Sequence, residues 1–166
     1  MGSVSRRDAL SMIGGSPRYA HSLVVGRVMT NLAKRLGGDK GEWELVGLLH
    51  DIDYDSVLGE MALHGVRAAE SLAGKVSVEG LEAIRSHDHR TGFEPRGVLA
   101  ESLRFADAVA VLVEDQGLRG PTGEAALERD VRLESPQKPW IGKIIESFRQ
   151  AYGVQLSMVL NELGGL

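Results

Sequence analysis

Apolar residues recur every three or four positions along this chain, in segments that end at glycine. That spacing lines one face of a helix, and no stretch shows the apolar-polar alternation of a half-buried strand. Val25, Val28, Leu32 and Leu36 form one stripe that stops at Gly37-Gly38, and Ser16-Pro17 predicts its start: a cap followed by proline in the first turn. Asp39 with Glu42 predicts a capping box and a second helix through Trp43, Val46 and Leu49 to His50. A third helix is expected from Glu60 to Ala73, ending at Gly74. A fourth runs from Ser77 to His87, and a fifth from Val98 to Glu114 carries Leu99, Leu103, Ala106, Ala110 and Val113 on one side. Residues 88–97 read as a polar loop, and 117–139, which contains three prolines, as a loop with one short helix from Glu124 to Arg129. From Trp140 onward Ile141, Ile144, Ile145, Phe148, Tyr152, Leu156, Val159, Leu160 and Leu163 keep helical spacing across Gly153. They predict one kinked helix or two short ones, closing the core or forming the seam of a homodimer. The class expected is all-α.

The length of 166 residues suits a single domain spanning 1–166. A formal charge of −4 leaves nothing to draw the whole molecule to nucleic acid, and no apolar run is long enough to cross a membrane. Arg6-Arg7 is not followed by the apolar stretch of an export signal, so a cytoplasmic location is expected. Cysteine is absent, which excludes disulfides, thiol nucleophiles and thiolate metal sites. Histidine is then the remaining soft ligand, at His21, His50, His64, His87 and His89.

A His-Asp dipeptide is unspecific, and His87-Asp88 is a second one. His50-Asp51 differs in its setting, at the end of an apolar helix and followed by Ile52-Asp53-Tyr54-Asp55. Carboxylates crowded beside an imidazole repel one another, and a bound cation offsets that repulsion. Helical phase turns His21 toward Val25, Val28 and Leu32, His50 toward Val46 and Trp43, His64 over Met61 and Ala68, and His87 toward Ile84 and Ala83. Asp107 shares the side of Leu103, Ala100 and Val111, where an unpaired carboxylate would be costly. Taken singly, each histidine reads as a hydrogen-bonded core residue and Asp107 as a partner for Arg104. Taken together, four inward histidines with Asp51 and Asp107 supply six ligands, the number a two-metal site with one bridging carboxylate requires.

The ordered pattern His21, His50-Asp51, His64, His87, Asp107 resembles the HD-domain superfamily of metal-dependent phosphohydrolases, over about residues 16–115. The strings Arg18-Tyr19-Ala20-His21-Ser22, Trp43 through Asp55, Ile84-Arg85-Ser86-His87-Asp88 and Ala106-Asp107-Ala108 look like a small stand-alone branch described mainly as predicted hydrolases. The resemblance implies an HD-domain bundle of about six to eight helices around a metal site, with 116–166 as a loop and helical tail outside it. His21, His50, Asp51 and Asp107 would hold a first metal, and His64 and His87 a second that Asp51 bridges. Two divalent ions are expected, iron or manganese first, with cobalt, nickel, zinc and magnesium also compatible with nitrogen and oxygen donors.

The activity implied is hydrolysis of a phosphate ester of a small metabolite or nucleotide by a metal-bound hydroxide. A catalytic set of Asp51, His89, Asp53 and Asp88 goes with it, the last three as candidate proton donors, with Asp53 and Asp55 also readable as loop caps or orienters of the ligands. Arg18, Arg85, Arg90 and Arg104 are candidate phosphate clamps. The partner expected is a small phosphorylated molecule, without membrane or nucleic acid. The same six ligands also resemble mixed-valent diiron HD oxygenases that cleave C–C or C–P bonds. A third reading is a non-catalytic sensor of a nucleotide or metal.

Overall fold

The computed structural model describes residues 3–116 and 138–163, in which eight α-helices and no strand occur. They are α1 (Arg6–Ile13), α2 (Tyr19–Leu36), α3 (Lys40–Leu49), α4 (Val66–Ser71), α5 (Val78–Ser86), α6 (Val98–Gln116), α7 (Trp140–Tyr152) and α8 (Leu156–Leu160). Short 3-10 turns lie at Tyr54–Ser56, Met61–Leu63, His89–Thr91 and Asn161–Leu163. The short helix expected from Glu124 to Arg129 lies outside the described residues.

α6 is the central element: it packs against α2, α3, α5 and α7 and buries Leu99, Leu103, Phe105, Val109 and Leu112. α2 lies across α3, and the two backbones approach closely because both carry glycine at the crossing. A Cβ on Gly47 would stand 2.8 Å from Gly26 Cα. The tail closes this chain's own core, with Ile141, Ile145, Phe148, Leu156, Val159, Leu160 and Leu163 buried and Phe148 stacked on Phe105 at 4.3 Å between ring centroids. It is two helices, because Gly153 takes φ 68 and ends α7.

Several local expectations shift. Ser16-Pro17 forms a turn ahead of α2, in which Ser16 Oγ accepts from the Arg18 amide at 3.0 Å, so the helix starts at Tyr19. α1, an element beyond those expected from the apolar spacing, is capped by Ser5 accepting from the Asp8 amide. Asp39 caps α3 through the Glu42 amide at 2.7 Å, but the Glu42 carboxylate accepts from the Ser77 amide at 3.0 Å and does not reach back to close the box. The helix expected from Glu60 to Ala73 is broken. Gly65 at φ 86 interrupts it, leaving a 3-10 turn, an extended His64 and then α4. A Cβ on Gly65 would stand 2.5 Å from the Ile84 carbonyl oxygen and 3.0 Å from His87 Nδ1, so both φ and space demand glycine there. The assumption that His64 faces inward by helical phase therefore fails, although His64 is buried.

The crossing gives a direct test. Gly47→Ala should destabilise the chain by about 1–3 kcal/mol through overpacking against the α2 backbone, while Gly59→Ala, whose Cβ would meet nothing within 4 Å, should stay within about 0.5 kcal/mol. Urea unfolding of the two variants provides the comparison.

Candidate metal centre

The first turn of α2, the end of α3, the break before α4, the end of α5 and the middle of α6 bring six side chains to one point. Asp51 lies at its centre. Its Oδ2 is 3.5 Å from His21 Nε2, and its Oδ1 is 3.2, 3.0 and 3.5 Å from the Nε2 atoms of His50, His64 and His87. Asp107 Oδ1 stands 2.9 Å from His21 Nε2 and 3.7 Å from His50 Nε2. The donor sets His21, His50, Asp107 and His50, Asp51, His87 are each compact enough to enclose one ion, as are His64, His87 and Asp88.

The placement of the imidazole protons suits this cluster to a metal ion. Each Nδ1 faces a group that can only accept: His21 faces Glu114 at 2.8 Å, His50 the Gly47 carbonyl at 2.7 Å, His64 Asp53 at 2.8 Å and His87 the Ile84 carbonyl at 2.7 Å. All four Nδ1 atoms therefore carry the proton, and each neutral ring presents a bare Nε2 lone pair to the centre. His64 Nε2 and His87 Nε2 lie 3.2 Å apart, an approach that needs a positive charge between or beside them. With the ring proton on Nδ1, the buried His21 Nε2 and His50 Nε2 face carboxylate oxygens that have no proton to donate, so neither makes a hydrogen bond, and a metal ion would supply the missing partner.

A sequence profile of the HD domain matches residues 18–112, more than half of the chain. The chain belongs to the HD-domain family. Members of that family are usually metal-dependent hydrolases. No curated protein and no solved structure matches the chain.

In this HD domain the electrostatics follow from burial set against opposite charge. Burial opposes ionisation of Asp51, yet His50, His64, His87 and His21 outweigh it and hold the carboxyl well below its usual range. Asp107 is held below that range in the same way by His21 and His50, although its side chain is 27% exposed because it faces a cavity. Burial lowers His50, against the opposing pull of Asp51 and Asp107. Burial also opposes charge on His21 and His64, but hydrogen bonds to Asp107 and Glu114 push His21 up to about 9, and those to Asp51 and Asp53 push His64 up to about 9. Without a cation, protons gather at the centre.

Asp53 organises the surroundings. Its Oδ1 accepts from His64, and its Oδ2 accepts from the amides of Gly65 at 2.8 Å and Ala68 at 2.9 Å, which open α4. One carboxylate thus caps a helix and aims the His64 ring. Asp55 is exposed and apart from the cluster. Above the centre opens a cavity of about 390 Å³ whose lining includes Arg18, Asp88, His89, Arg90 and Arg104. Arg85 is not in that lining and pairs with Glu82 at 2.9 Å. Arg104 does not pair with Asp107. Its Nη2 donates to the carbonyls of Ser86 at 2.7 Å and Phe93 at 3.3 Å.

Two groups of residues escaped the sequence reading. Glu114 was legible, being seven residues from Asp107 and so on the same face of α6. Lys138, Trp140, Ile141 and Ile144 reach the cavity from the tail, and no local motif ties them to it.

Two outcomes are expected. Asp53→Asn should weaken metal binding about 10- to 100-fold by titration calorimetry, as loss of a ligand's supporting partner does. For the metal-free chain, His21 and His64 titrate higher folded than unfolded. Their stabilisation is therefore complete below about pH 6.5 and is lost as pH rises through about 9. The melting temperature gap between metal-loaded and chelated protein should accordingly widen from pH 6 to pH 9, because bound metal displaces those protons.

Proposed function

We propose that this HD domain is a metal-dependent phosphohydrolase that removes phosphate from a phosphate ester of a small metabolite or nucleotide. The observation that supports it best is the placement of the six-donor cluster at the base of a cavity whose lining also carries Arg18, Arg90, Arg104 and Lys138. Guanidinium and ammonium groups suit phosphoryl oxygens, and about 390 Å³ suits a small molecule. His21, His50, Asp51 and Asp107 would hold one ion, and His64, His87 and Asp51 a second. When bound, the ions supply Lewis acidity toward water and toward the phosphoryl group.

The chain's own residues bind, orient and move protons. Arg18 donates from Nε to Asp51 Oδ2 at 2.9 Å and lies over the Tyr54 ring at 4.8 Å, which fixes its charge at the edge of the centre. Arg104 is anchored by backbone carbonyls. The carboxylate that approaches it, Glu94, stands 3.9 Å away and is itself 82% exposed, so the Arg104 charge is left for an anionic ligand. Arg90 is instead gripped by Asp88 through Nε at 2.9 Å and Nη2 at 2.7 Å. Those bonds overcome burial and hold Asp88 below the usual carboxylate range, so at neutral pH it orients Arg90 and has no proton to give. Asp53 is likewise ionised and fully engaged. His89, exposed in the same lining, is the group suited to protonate the departing oxygen.

The oxygenase reading uses the same six donors, and the cationic lining favours phosphoryl chemistry over it. The test is phosphate release from a panel of nucleotides and sugar phosphates by protein loaded with manganese or cobalt. Arg104→Ala should raise KM about tenfold with kcat within about threefold, and His89→Ala should lower kcat about 100-fold. Metal-loaded protein that binds an ester without releasing phosphate would turn the reading to a sensor. Oxygen uptake with a mixed-valent iron resonance would turn it to an oxygenase.

A further inference from the structure

We infer that α7 gives this HD domain a shelf for a flat ring, so that its substrate is a phosphate ester whose alcohol carries an aromatic or heteroaromatic ring; the inference rests on the hydrolase reading above. Trp140 opens α7, outside the residues 18–112 that the family profile covers. The residues that follow it turn inward: Ile141 and Ile145 are buried in the core. Trp140 does not, and the residue remains 39% exposed while lining the cavity above the metal centre. His89 reaches it from the 3-10 turn after α5, with ring centroids 4.8 Å apart and planes at 45°. That contact holds the indole in a tilted, not a stacked, arrangement, so His89 does not lie parallel over its face.

An exposed indole face in a cavity is a platform for another π system, because offset stacking removes apolar area from water and aligns the ring quadrupoles. Ile144 and Val111 extend the apolar surface beside it in the same lining that carries Arg18 and Arg104. A ligand that satisfies both parts is anionic at one end and flat and apolar at the other. A sugar phosphate without a ring system would leave the indole bare, and a long alkyl chain would not gain from its planarity. His89 touches Trp140 and is the proposed donor to the departing oxygen, so the ring-bearing alcohol is the half of the ester that leaves.

The experiment uses the metal-loaded full chain and two phosphonates that cannot be hydrolysed, phenylphosphonate and methylphosphonate. By calorimetry the phenyl compound should bind about tenfold tighter than the methyl one, the scale of one aromatic stack. Trp140→Ala should bring the two within about twofold of each other, and Trp140→Phe should keep most of the preference, both with metal content unchanged. Phenylphosphonate should also alter the tryptophan fluorescence of the natural chain but not of Trp140→Phe, because the remaining Trp43 is 4% exposed. Equal binding of the two phosphonates, or a preference that survives Trp140→Ala, overturns the shelf and leaves the hydrolase reading intact. Failure of both phosphonates to bind overturns both.

Discussion

The carboxylate of Asp51 is buried among four imidazoles, and the rest of the structure depends on how that charge is met. A carboxylate so placed is expensive to desolvate, and neutral imidazoles that present lone pairs to it do not offset the cost. Because acceptor-only partners hold the proton of each ring on Nδ1, the four Nε2 atoms have none to share unless the centre takes up protons or metal. The raised His21 and His64 and the depressed Asp51 and Asp107 are the response of one cluster to the same demand for positive charge.

The fold supplies the precision that this arrangement needs. The glycine-on-glycine crossing of α2 and α3 sets the distance between the first-turn His21 and the His50-Asp51 pair at the end of α3. Gly65 lets the chain turn sharply against α5, which places His64 beside His87, and Asp53 holds that turn by capping α4 while binding His64. α6 adds Asp107 and Glu114 from one face, so a single helix provides both a carboxylate of the cluster and the group that orients His21.

Much of this was legible in the sequence because it is written in helical phase. His21, His50, His87 and Asp107 lie on or at the ends of regular helices, and their apolar neighbours point them inward; the order of the motif then identifies the family. His64 was placed inward for the wrong reason, since Gly65 ends the local helix and the long-range bond from Asp53 orients the ring. Ser16-Pro17 does not open α2, because Ser16 satisfies an amide within a turn, whereas α1 carries its own signal in Ser5 followed by Asp8. The tail's part in the cavity was not legible at all. Trp140 meets His89 across some fifty residues of chain, a contact that only packing creates.

The most direct measurement is the metal content of the chain purified without chelator. A binuclear centre predicts about two divalent ions per chain, with fewer than one in Asp51→Ala and a lower melting temperature in that variant and in His50→Ala. Less than one ion per chain, with the stability of both variants unchanged, would contradict the account and return the four histidines to the role of ordinary core residues.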